Sequence, residues 1–203
     1  MNGLPKVFSY KLVRDYGFAP NPFHGICTLA TCKPQIREAA QVGDIIVGCG
    51  GRALGLEGRM IFAMRVSRKL SFQEYWEHRD FRIKRPNFRS SKSTAYGDNI
   101  YHRDGDSWVQ EDSHHSFPGG ALNGENLTRD MGSKNVLIGE EFVYWGASAL
   151  EIPEHLREFA GEDLYPPSRN YRNTFSDAFR REVDAWFSAI TDRGCRGRPA
   201  SWD

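Results

Sequence analysis

Residues 17–51 constrain the fold of this chain more than any other stretch. The first part of the segment is a loop rich in proline and aromatic residues, with one histidine and two cysteines. The later part predicts a helix at residues 34–41, because proline suits a first helical turn. It also predicts an apolar strand at residues 45–49, after a tight turn at Gly43 and Asp44. We expect the later part to build the fold and the loop to serve a site.

The remaining secondary structure follows from local patterns. Short apolar or branched runs predict further strands, at residues 7–13, 60–66, 136–138 and 142–145. A serine and a glutamate at capping-box spacing open a helix at residues 72–78, and apolar residues at helical spacing predict a helix within residues 174–191, packed on the rest. Residues 119–133 read as a turn-rich connection. We predict a single α+β domain over residues 1–203, a small β-barrel with helical decorations.

Charge and hydropathy narrow the classes of function. The 203 residues carry 27 Lys and Arg against 26 Asp and Glu, a net charge of +1, so attraction to nucleic acid has to come from a local patch. No apolar run approaches the roughly 20 residues that cross a bilayer, and the start of the chain lacks the apolar core of a signal peptide. Four cysteines are too few for a disulfide scaffold. We expect a cytoplasmic protein with reduced thiols, no membrane partner and no cofactor.

Residues 79–92 form a local concentration of positive charge in which Phe81 and Phe88 are interleaved. Cations and aromatic side chains in an exposed loop suit phosphate contacts and base stacking. A charge run is also the ordinary makeup of a solvated surface. The predicted contacts to phosphate or nucleic acid are Arg79, Arg82, Lys84, Arg85, Arg89 and Lys92.

The order of helix, Gly-Asp turn and central strand resembles PUA-related folds, which include the EVE, ASCH and YTH domains. In those folds a base sits in a pocket at the side of a small β-barrel. The resemblance therefore implies a PUA-like barrel with a base-binding pocket.

Four segments together resemble the second type of nucleotide modification associated domain. They are DYGFAPNPFHGICTLATCKPQIR, VGDIIVGCG, YGDNIYH with the later HHS, and VLIGEEFVYWG. The resemblance spans residues 5–155. That family is known chiefly from phage and bacterial gene neighbourhoods linked to DNA base modification and defence, so it implies that context.

Polar and aromatic side chains around Asn99 are candidates for a base or nucleotide pocket. An Asn side chain carries a donor and an acceptor, which suits the edge of a base, and tyrosines offer faces for stacking. The alternative is that Asn99 stabilises its own turn and the aromatic residues are core. His115 enters the set on the family resemblance. The predicted pocket residues are His24, Tyr96, Asn99, Tyr101, Trp108, His115 and Trp145.

Reactive side chains allow several chemistries. His24, Cys27 and Cys32 offer three potential zinc ligands, but a structural zinc site needs four, so we expect no metal. A cysteine nucleophile paired with His24 would need an orienting third group that the sequence does not identify. The glycines from 48 to 51 lack P-loop spacing and suit either a turn with positive φ or the close approach of a nucleotide.

Three functions remain open. The first is recognition of a modified base or nucleotide, with DNA favoured over RNA as the nucleic acid. The second is an enzyme that acts on a nucleotide or DNA base, with His24 and His115 moving protons and Asp98 or Asp112 orienting one of them. The third is a structural partner of other proteins in a defence complex.

Overall fold

The computed structural model describes residues 3–168 and 170–202. Contacts within the chain divide it into two compact units. Unit 1 comprises Met1–Tyr16, Ala40–Ser67 and Gly139–Asp203, and unit 2 comprises Gly17–Ala39 and Arg68–Ile138. The predicted single domain over the whole chain stays a prediction. The segment 17–51 is divided, because its loop and helix belong to unit 2 and its turn and strand to unit 1.

Helices and strands alternate irregularly along the described chain. The strands are β1 (Val7–Leu12), β2 (Cys27–Leu29), β3 (Ile45–Gly50), β4 (Arg59–Arg65), β5 (Arg68–Ser71), β6 (Tyr101–Asp104), β7 (Ser107–Gln110), β8 (Asn135–Gly139), β9 (Glu141–Tyr144), β10 (Leu150–Glu151) and β11 (Gly194–Cys195). The α-helices are α1 (Pro34–Ala39), α2 (Phe72–Glu77), α3 (Lys92–Ala95), α4 (Gly124–Asp130) and α5 (Asp177–Ala189). Short 3-10 turns lie at Arg52–Leu54, Arg79–Lys84, Gly146–Ser148 and Glu154–Leu156. Each strand and helix predicted from the sequence overlaps one of these elements, and the mixed architecture is confirmed.

Unit 1 is built on one mixed sheet in the order β1, β3, β4, β9, β11, with β10 paired to β4. The first pair is parallel, with Val7 opposite Ile45. β4 runs antiparallel to both of its long neighbours, β3 and β9. The connection from β3 to β4 contains the 3-10 turn Arg52–Leu54.

Helix α5 covers one face of this sheet. Ser176 caps the helix by accepting a hydrogen bond from the Phe179 N–H group, which satisfies a backbone donor that the first turn leaves unpaired. The apolar stripe of α5 packs in one cluster with Ile45 and Val47, alternate residues of β3 that share a sheet face. The stripe predicted from helical spacing is therefore core.

The sheets of the described residues form no closed barrel. A barrel requires the two outer strands to pair with each other. The outer edge of β1 instead exchanges two backbone hydrogen bonds between Ser9 and Arg172, with N···O distances of 2.9 and 2.8 Å. The opposite outer strand, β11, has only 2 residues. The expected β-barrel is thus replaced by an open sheet, and the PUA-like fold is not confirmed.

The glycines at the end of β3 are required by packing rather than by φ. A Cβ atom on Gly48 would lie 2.2 Å from a ring carbon of Phe62, and one on Gly50 would lie 2.4 Å from Leu56. The expected positive φ is found further along the turn, at Gly55, with φ of 65°. The prediction of positive φ is therefore wrong for Gly48 and Gly50, where close packing is what requires glycine.

Unit 2 contains a smaller sheet, in which β8 lies between β2 and β5, and a β6–β7 hairpin. The capping box that opens α2 is present, with reciprocal hydrogen bonds between Ser71 and Glu74. Residues 119–133, expected to be a connection, include α4. Asn123 begins this helix by accepting a hydrogen bond from the Asn126 N–H group.

Across the part of the chain that the structure describes, no helix has the length and apolar character needed to cross a membrane.

Candidate active site

Cys32 occupies a strained corner of unit 2 between β2 and α1. Its backbone φ is 56°, and that of the following Lys33 is 41°. Residues other than glycine seldom adopt positive φ, and such strain concentrates at functional sites because it has to be supported by the surrounding structure. The Cys32 side chain is half-buried. The corner thus presents a thiol at the start of a helix with part of its surface accessible.

Two further side chains complete a line of polar groups with Cys32. The Cys32 sulfur lies 3.7 Å from Nε2 of His115. On the other side of the imidazole ring, Nδ1 lies 2.8 Å from Oδ2 of Asp130, and Asp130 is 0% exposed. A thiol, an imidazole and a carboxylate in this order are the arrangement in which a base activates a nucleophile and a third group orients the base.

Asp130 also holds the strained corner in place. Its Oδ1 atom accepts a hydrogen bond of 2.7 Å from the Cys32 N–H group. Its Oδ2 atom accepts one of 2.8 Å from the Tyr101 hydroxyl group. A single buried carboxylate therefore binds both the backbone of Cys32 and the ring of His115.

Hydrogen bonds to its backbone carbonyl fix the loop that carries His115. The carbonyl oxygen of His115 accepts a bond of 2.9 Å from the Asn126 side-chain amide and one of 3.3 Å from the Gln110 amide. Gln110 also donates to the Tyr101 hydroxyl oxygen at 3.2 Å. The imidazole is held from its backbone as well as from its ring.

Arg37 ties the same corner to the rest of unit 2. This guanidinium group is fully buried. It donates to four backbone carbonyl groups, those of Cys32 at 2.8 Å, Asp130 at 2.7 Å, Ser133 at 2.6 Å and Asn135 at 2.8 Å. Because a guanidinium group presents its donors in a rigid fork, Arg37 fixes the chain on both sides of the reactive corner.

The environment of His115 favours its protonated form. Burial by itself lowers the pKa of His115, but hydrogen bonds to Asp130 and Cys32, together with the charges of both groups, outweigh it and raise this pKa to about 9. At neutral pH the ring therefore carries a positive charge. Its Nδ1–H group donates to Asp130, and its Nε2–H group faces the sulfur of Cys32. The ring therefore places a positive charge beside the sulfur, an environment typical of reactive cysteines.

The raised pKa of His115 predicts a pH-dependent stability. Because the pKa is about 9 in the folded state and 6.5 without the fold, the stabilisation is complete below pH 6.5 and is lost as pH rises through 9. The free energy of unfolding of the wild type, relative to a His115→Gln variant, should decrease by as much as about 3 kcal/mol over this range. Urea denaturation at several pH values measures it. A His155→Gln variant, altered at an exposed histidine, serves as the control and should follow the wild type.

A cavity lies against the loop that carries His115. Its volume is about 390 Å³, within the roughly 300–1,000 Å³ typical of small-molecule sites. The lining residues are Phe88, Asp112, Ser113, His114, Ser116, Phe117, Pro118 and Gly119. Two of the aromatic residues are unusually exposed for their size, with relative exposures of 58% for Phe88 and 53% for Phe117.

A single family model covers nearly the whole chain, including both units. The model of nucleotide modification associated domain 2 matches residues 4–203. The chain belongs to this family. The match extends beyond residues 5–155, where the resemblance had been recognised from four sequence segments. Searches of curated proteins and of solved structures each gave no significant match. Nucleotide modification associated domain 2 implies a role connected with nucleotide modification, and the site geometry bears on what that role is.

The structure brings together two of the predicted pocket residues of this family member. Tyr101 and His115 both bind Asp130. Tyr96 lies one step away, since its ring centroid is 5.2 Å from that of His114. Phe18, which the sequence did not single out, packs against His115 at 4.7 Å. Aromatic side chains therefore pack around His114 and His115.

Asn99 is placed differently from its prediction. It is buried, and its amide nitrogen donates to the carbonyl groups of Tyr75 at 3.0 Å and Phe81 at 3.1 Å. Both donors are thus engaged within unit 2, and Asn99 cannot present a donor and an acceptor to a base edge. Its Oδ1 atom has no hydrogen-bond partner within the described residues.

The two other aromatic candidates are structural in their observed contacts. Trp108 packs against Phe72 with ring centroids 6.0 Å apart and lies beneath the Arg103 guanidinium group. Trp145 belongs to unit 1 and packs in its apolar core. Trp145 is therefore core, as in the alternative interpretation, whereas Trp108 is half-buried.

His24 and Asp98 do not take part in the candidate active site. His24 is exposed with φ of 62°, and its pKa is lowered by partial desolvation and by the charge of Lys84. Asp98 is buried, accepts hydrogen bonds from Thr28 and Tyr75, and has a raised pKa mainly because of that burial. No described contact joins either of them to His115, whereas Cys32 and Asp130 both contact its ring. The acid–base pair of His24 and His115 stays a prediction.

Asp112 and the candidate metal ligands also have other roles. Asp112 accepts a hydrogen bond from Ser116 at 3.1 Å in the loop beside the cavity. Cys27 is fully buried in β2, whereas His24 is exposed. Within residues 3–168 and 170–202, no three His, Cys, Asp or Glu side chains are arranged to hold a metal ion.

The predicted phosphate contacts divide into two groups. Lys84 is buried, and its ammonium group donates to Asn21 and Ile26 oxygens at 2.6 to 3.0 Å, so this lysine binds a loop and does not face solvent. Arg85 stacks on Trp76 at 3.5 Å from the ring centroid and donates to its carbonyl oxygen. The exposed members of the set are Arg79, Arg82, Arg89 and Lys92.

Sequence reasoning missed Asp130 and Arg37. Asp130 ends a short polar helix that read as a connection, and its only local signal was the Asn123 cap. Arg37 lies on α1 among residues of mixed polarity. Neither residue has a local pattern that distinguishes it from a solvated surface charge, because the groups that bind each one come from distant parts of the chain.

Proposed function

We propose that this chain is a thiol-dependent enzyme that transfers or hydrolyses acyl groups on a nucleotide or nucleic-acid base. Cys32 is the nucleophile, His115 carries the proton and Asp130 orients the histidine. The observation that carries the proposal is the line from the Cys32 sulfur through both nitrogens of His115 to Asp130, with distances of 3.7 and 2.8 Å.

The reaction follows from the positions of these groups. The thiolate attacks the carbonyl carbon of an amide or ester on the substrate, forming a carbon–sulfur bond. The bond to the leaving amine or alcohol then breaks as the Nε2 proton of His115 passes to that group. Water or an acceptor amine attacks the resulting thioester, and His115 takes up its proton. The acyl group is released and the thiolate is restored, so no oxidant or reductant is needed.

Three observations favour a base as the carrier of that acyl group. The family is associated with nucleotide modification. The cavity beside the loop is lined by aromatic and polar side chains, which suits a planar ring with hydrogen-bonding edges. The exposed Phe88 and Phe117 offer faces for neighbouring bases. We place the activity in the cytoplasm, where thiols stay reduced, in a DNA-modification or phage-defence setting, with DNA favoured over RNA.

The test uses substrates whose exocyclic base amines carry acyl groups. Nucleosides, nucleotides and single-stranded oligonucleotides of this kind are incubated with the wild type and with Cys32→Ser, and products and protein masses are followed by mass spectrometry. We expect deacylated product and an acyl adduct on Cys32 in the wild type, and neither in Cys32→Ser. A Cys195→Ser variant, altered at an exposed cysteine, should behave as the wild type. Product formation at the wild-type rate by Cys32→Ser would refute the proposal.

Recognition without chemistry is the second candidate, favoured by the aromatic surroundings of His114. Its ring lies 5.3 Å from that of Phe18 and 5.2 Å from that of Tyr96, and it lines the cavity. A reader of modified bases would retain the same nucleotides unchanged, with equal affinity in Cys32→Ser. No described contact favours the role of structural partner in a defence complex over these two.

The exposed basic side chains predict a salt-dependent contribution to nucleic-acid binding. Replacing Arg82, Arg89 and Lys92 by Gln should weaken binding of a single-stranded DNA and lower the slope of log affinity against log salt by about 2, since each phosphate contact adds about 0.7 on single strands. Fluorescence anisotropy at several salt concentrations measures both quantities.

The matched control for this triple variant removes the same charge elsewhere. Lys6, Arg14 and Arg181 are exposed residues of unit 1, and their replacement by Gln should leave the slope near its wild-type value. An equal change in both triple variants would mean that the effect comes from net charge and not from this surface.

A further inference from the structure

A second cavity lies entirely within unit 1. Its volume is about 540 Å³. It is formed by the end of β1, the turn after β3, the approach to β4 and a segment before α5. The lining residues are Lys11, Val13, Gly51, Arg52, Ala53, Glu57, Tyr165, Pro167 and Ser168. None of them belongs to the candidate active site.

The walls of this cavity are tied together by hydrogen bonds. The Tyr165 hydroxyl group donates to the carbonyl oxygen of Gly50 at 3.1 Å, and the Lys11 ammonium group donates to that of Pro167 at 3.4 Å. Asp163 accepts from the Tyr165 N–H group at 2.7 Å and from Arg157 at 2.9 Å. These bonds join the segment before α5 to two strands, so the cavity is largely preformed. Ordering its walls then costs little of the binding free energy of a ligand.

The turn after β3 supplies the floor of the cavity. The N–H group of Gly51 donates to the Leu12 carbonyl oxygen at 2.9 Å, and a Cβ atom on Gly51 would lie 2.8 Å from the same oxygen. Glycine therefore lets this turn approach the end of β1 closely. The approach brings Arg52, on the turn, and Lys11, on β1, into the lining of one cavity.

The lining selects a ligand that is both anionic and planar. The lining contains two cationic side chains, Lys11 and Arg52, and one carboxylate, Glu57, so it carries an excess of positive charge. Arg binds phosphate through paired N–H groups and Lys as a point charge. Val13, Ala53 and the ring of Tyr165 offer apolar surface. The Glu57 carboxylate can accept hydrogen bonds from a base amine or a sugar hydroxyl group.

We propose that this cavity binds a nucleoside phosphate, with Lys11 and Arg52 holding the phosphate and Glu57 a donor of the base or sugar. The site is separate from the proposed thiol chemistry and does not depend on it. The same chemistry is offered by a free nucleotide and by the 5′-phosphorylated end of a nucleic acid.

Calorimetric titration tests the assignment with nucleoside 5′-monophosphates, the corresponding nucleosides and inorganic phosphate. We expect the monophosphates to bind, and nucleosides and phosphate to bind at least tenfold more weakly. Arg52→Gln and Lys11→Met should each weaken monophosphate binding at least tenfold. An Arg59→Gln variant, altered at a partly exposed arginine of the same unit, should bind as the wild type. Oligonucleotides with and without a 5′-phosphate distinguish the two sources.

Two further variants make every outcome decisive. Ala53→Trp fills the cavity from an exposed position and should abolish binding, whereas Cys32→Ser should leave it unchanged. Because Arg52 is exposed, Arg52→Gln reports on the site even if Lys11→Met fails to fold. No binding at millimolar monophosphate, or equal binding by the wild type, Arg52→Gln and Ala53→Trp, would overturn the assignment. Loss of binding in Cys32→Ser would show that the ligand binds at the candidate active site instead.

Discussion

At pH 6.5, Cys32 of the wild type is expected to react with iodoacetamide at least tenfold faster than Cys32 of a His115→Gln variant. The pKa of His115 is raised to about 9, so at this pH the ring carries a positive charge 3.7 Å from the sulfur. A glutamine removes that charge from beside the sulfur, and a positive neighbour is a general activator of cysteine nucleophiles. The rates are measured at each cysteine by mass spectrometry of digested samples.

The chain contains its own controls for this measurement. Cys195 is exposed and should react at the same rate in both proteins. Cys27 and Cys49 are buried, and burial raises the pKa of Cys49 to about 12, so both should stay unmodified while the protein is folded. Asp130→Asn should slow Cys32 in the same direction, because the amide no longer stabilises the imidazolium. Equal Cys32 rates in wild type and His115→Gln would show that the histidine does not activate the thiol.

Replacing Arg37 by Met should produce the largest loss of stability of any single change in unit 2. The substitution leaves four carbonyl groups without the donors that now satisfy them. Each buried acceptor left unpaired costs about 1–3 kcal/mol, and partial relaxation recovers some of it. We expect the free energy of unfolding to fall by about 3–5 kcal/mol, measured by urea denaturation.

Arg129→Met is the matched control for this substitution. Arg129 lies on α4 close to Asp130 in sequence, but it is exposed and bonds only the Asn126 side chain at 3.0 Å among the contacts described. Its loss should cost less than about 1 kcal/mol. If Arg37→Met were as stable as Arg129→Met, the buried guanidinium group would not support the corner at Cys32.

The two results together separate reactivity from structure. His115 acts on the sulfur through its charge, so its replacement should change the rate of alkylation far more than a control residue would. The hydrogen bonds of the Arg37 side chain all go to backbone carbonyl groups, so its replacement should act through stability. The proposed nucleophile needs both kinds of support, because positive φ at Cys32 and Lys33 costs of order 1–3 kcal/mol at each residue.

The sequence predicted reactive residue types, and the described contacts join them in combinations that the sequence did not suggest. Cys32 and His115 were both singled out, but the cysteine was considered with His24, and the histidine with His24 and either Asp98 or Asp112. The observed partners are 83 residues apart in the case of Cys32 and His115, and 15 in the case of His115 and Asp130. Such pairs depend on the path of the chain through unit 2, which no local pattern encodes.

Lys84 and Asn99 show a second reason for the difference. Both residues carry polar groups that suit a ligand. The Lys84 ammonium group instead donates to Asn21 and Ile26 oxygens, and the Asn99 amide nitrogen donates to two backbone carbonyl groups, all inside unit 2. A buried polar group has to find a partner, because leaving it unpaired costs several kcal/mol. The residue type therefore predicts a hydrogen bond but not whether its partner is a ligand or the protein itself.

The amino-acid sequence by itself determined the strands and helices whose signals lie within a few residues of each other, and the family to which the chain belongs. The apolar run of β3, the capping box of α2 and the stripe of α5 are local, so they survive any arrangement of the chain. Only the tertiary structure decided that the sheet stays open and that Cys32, His115 and Asp130 meet. Those outcomes depend on which distant groups bury and satisfy one another, and that balance is set by the whole fold.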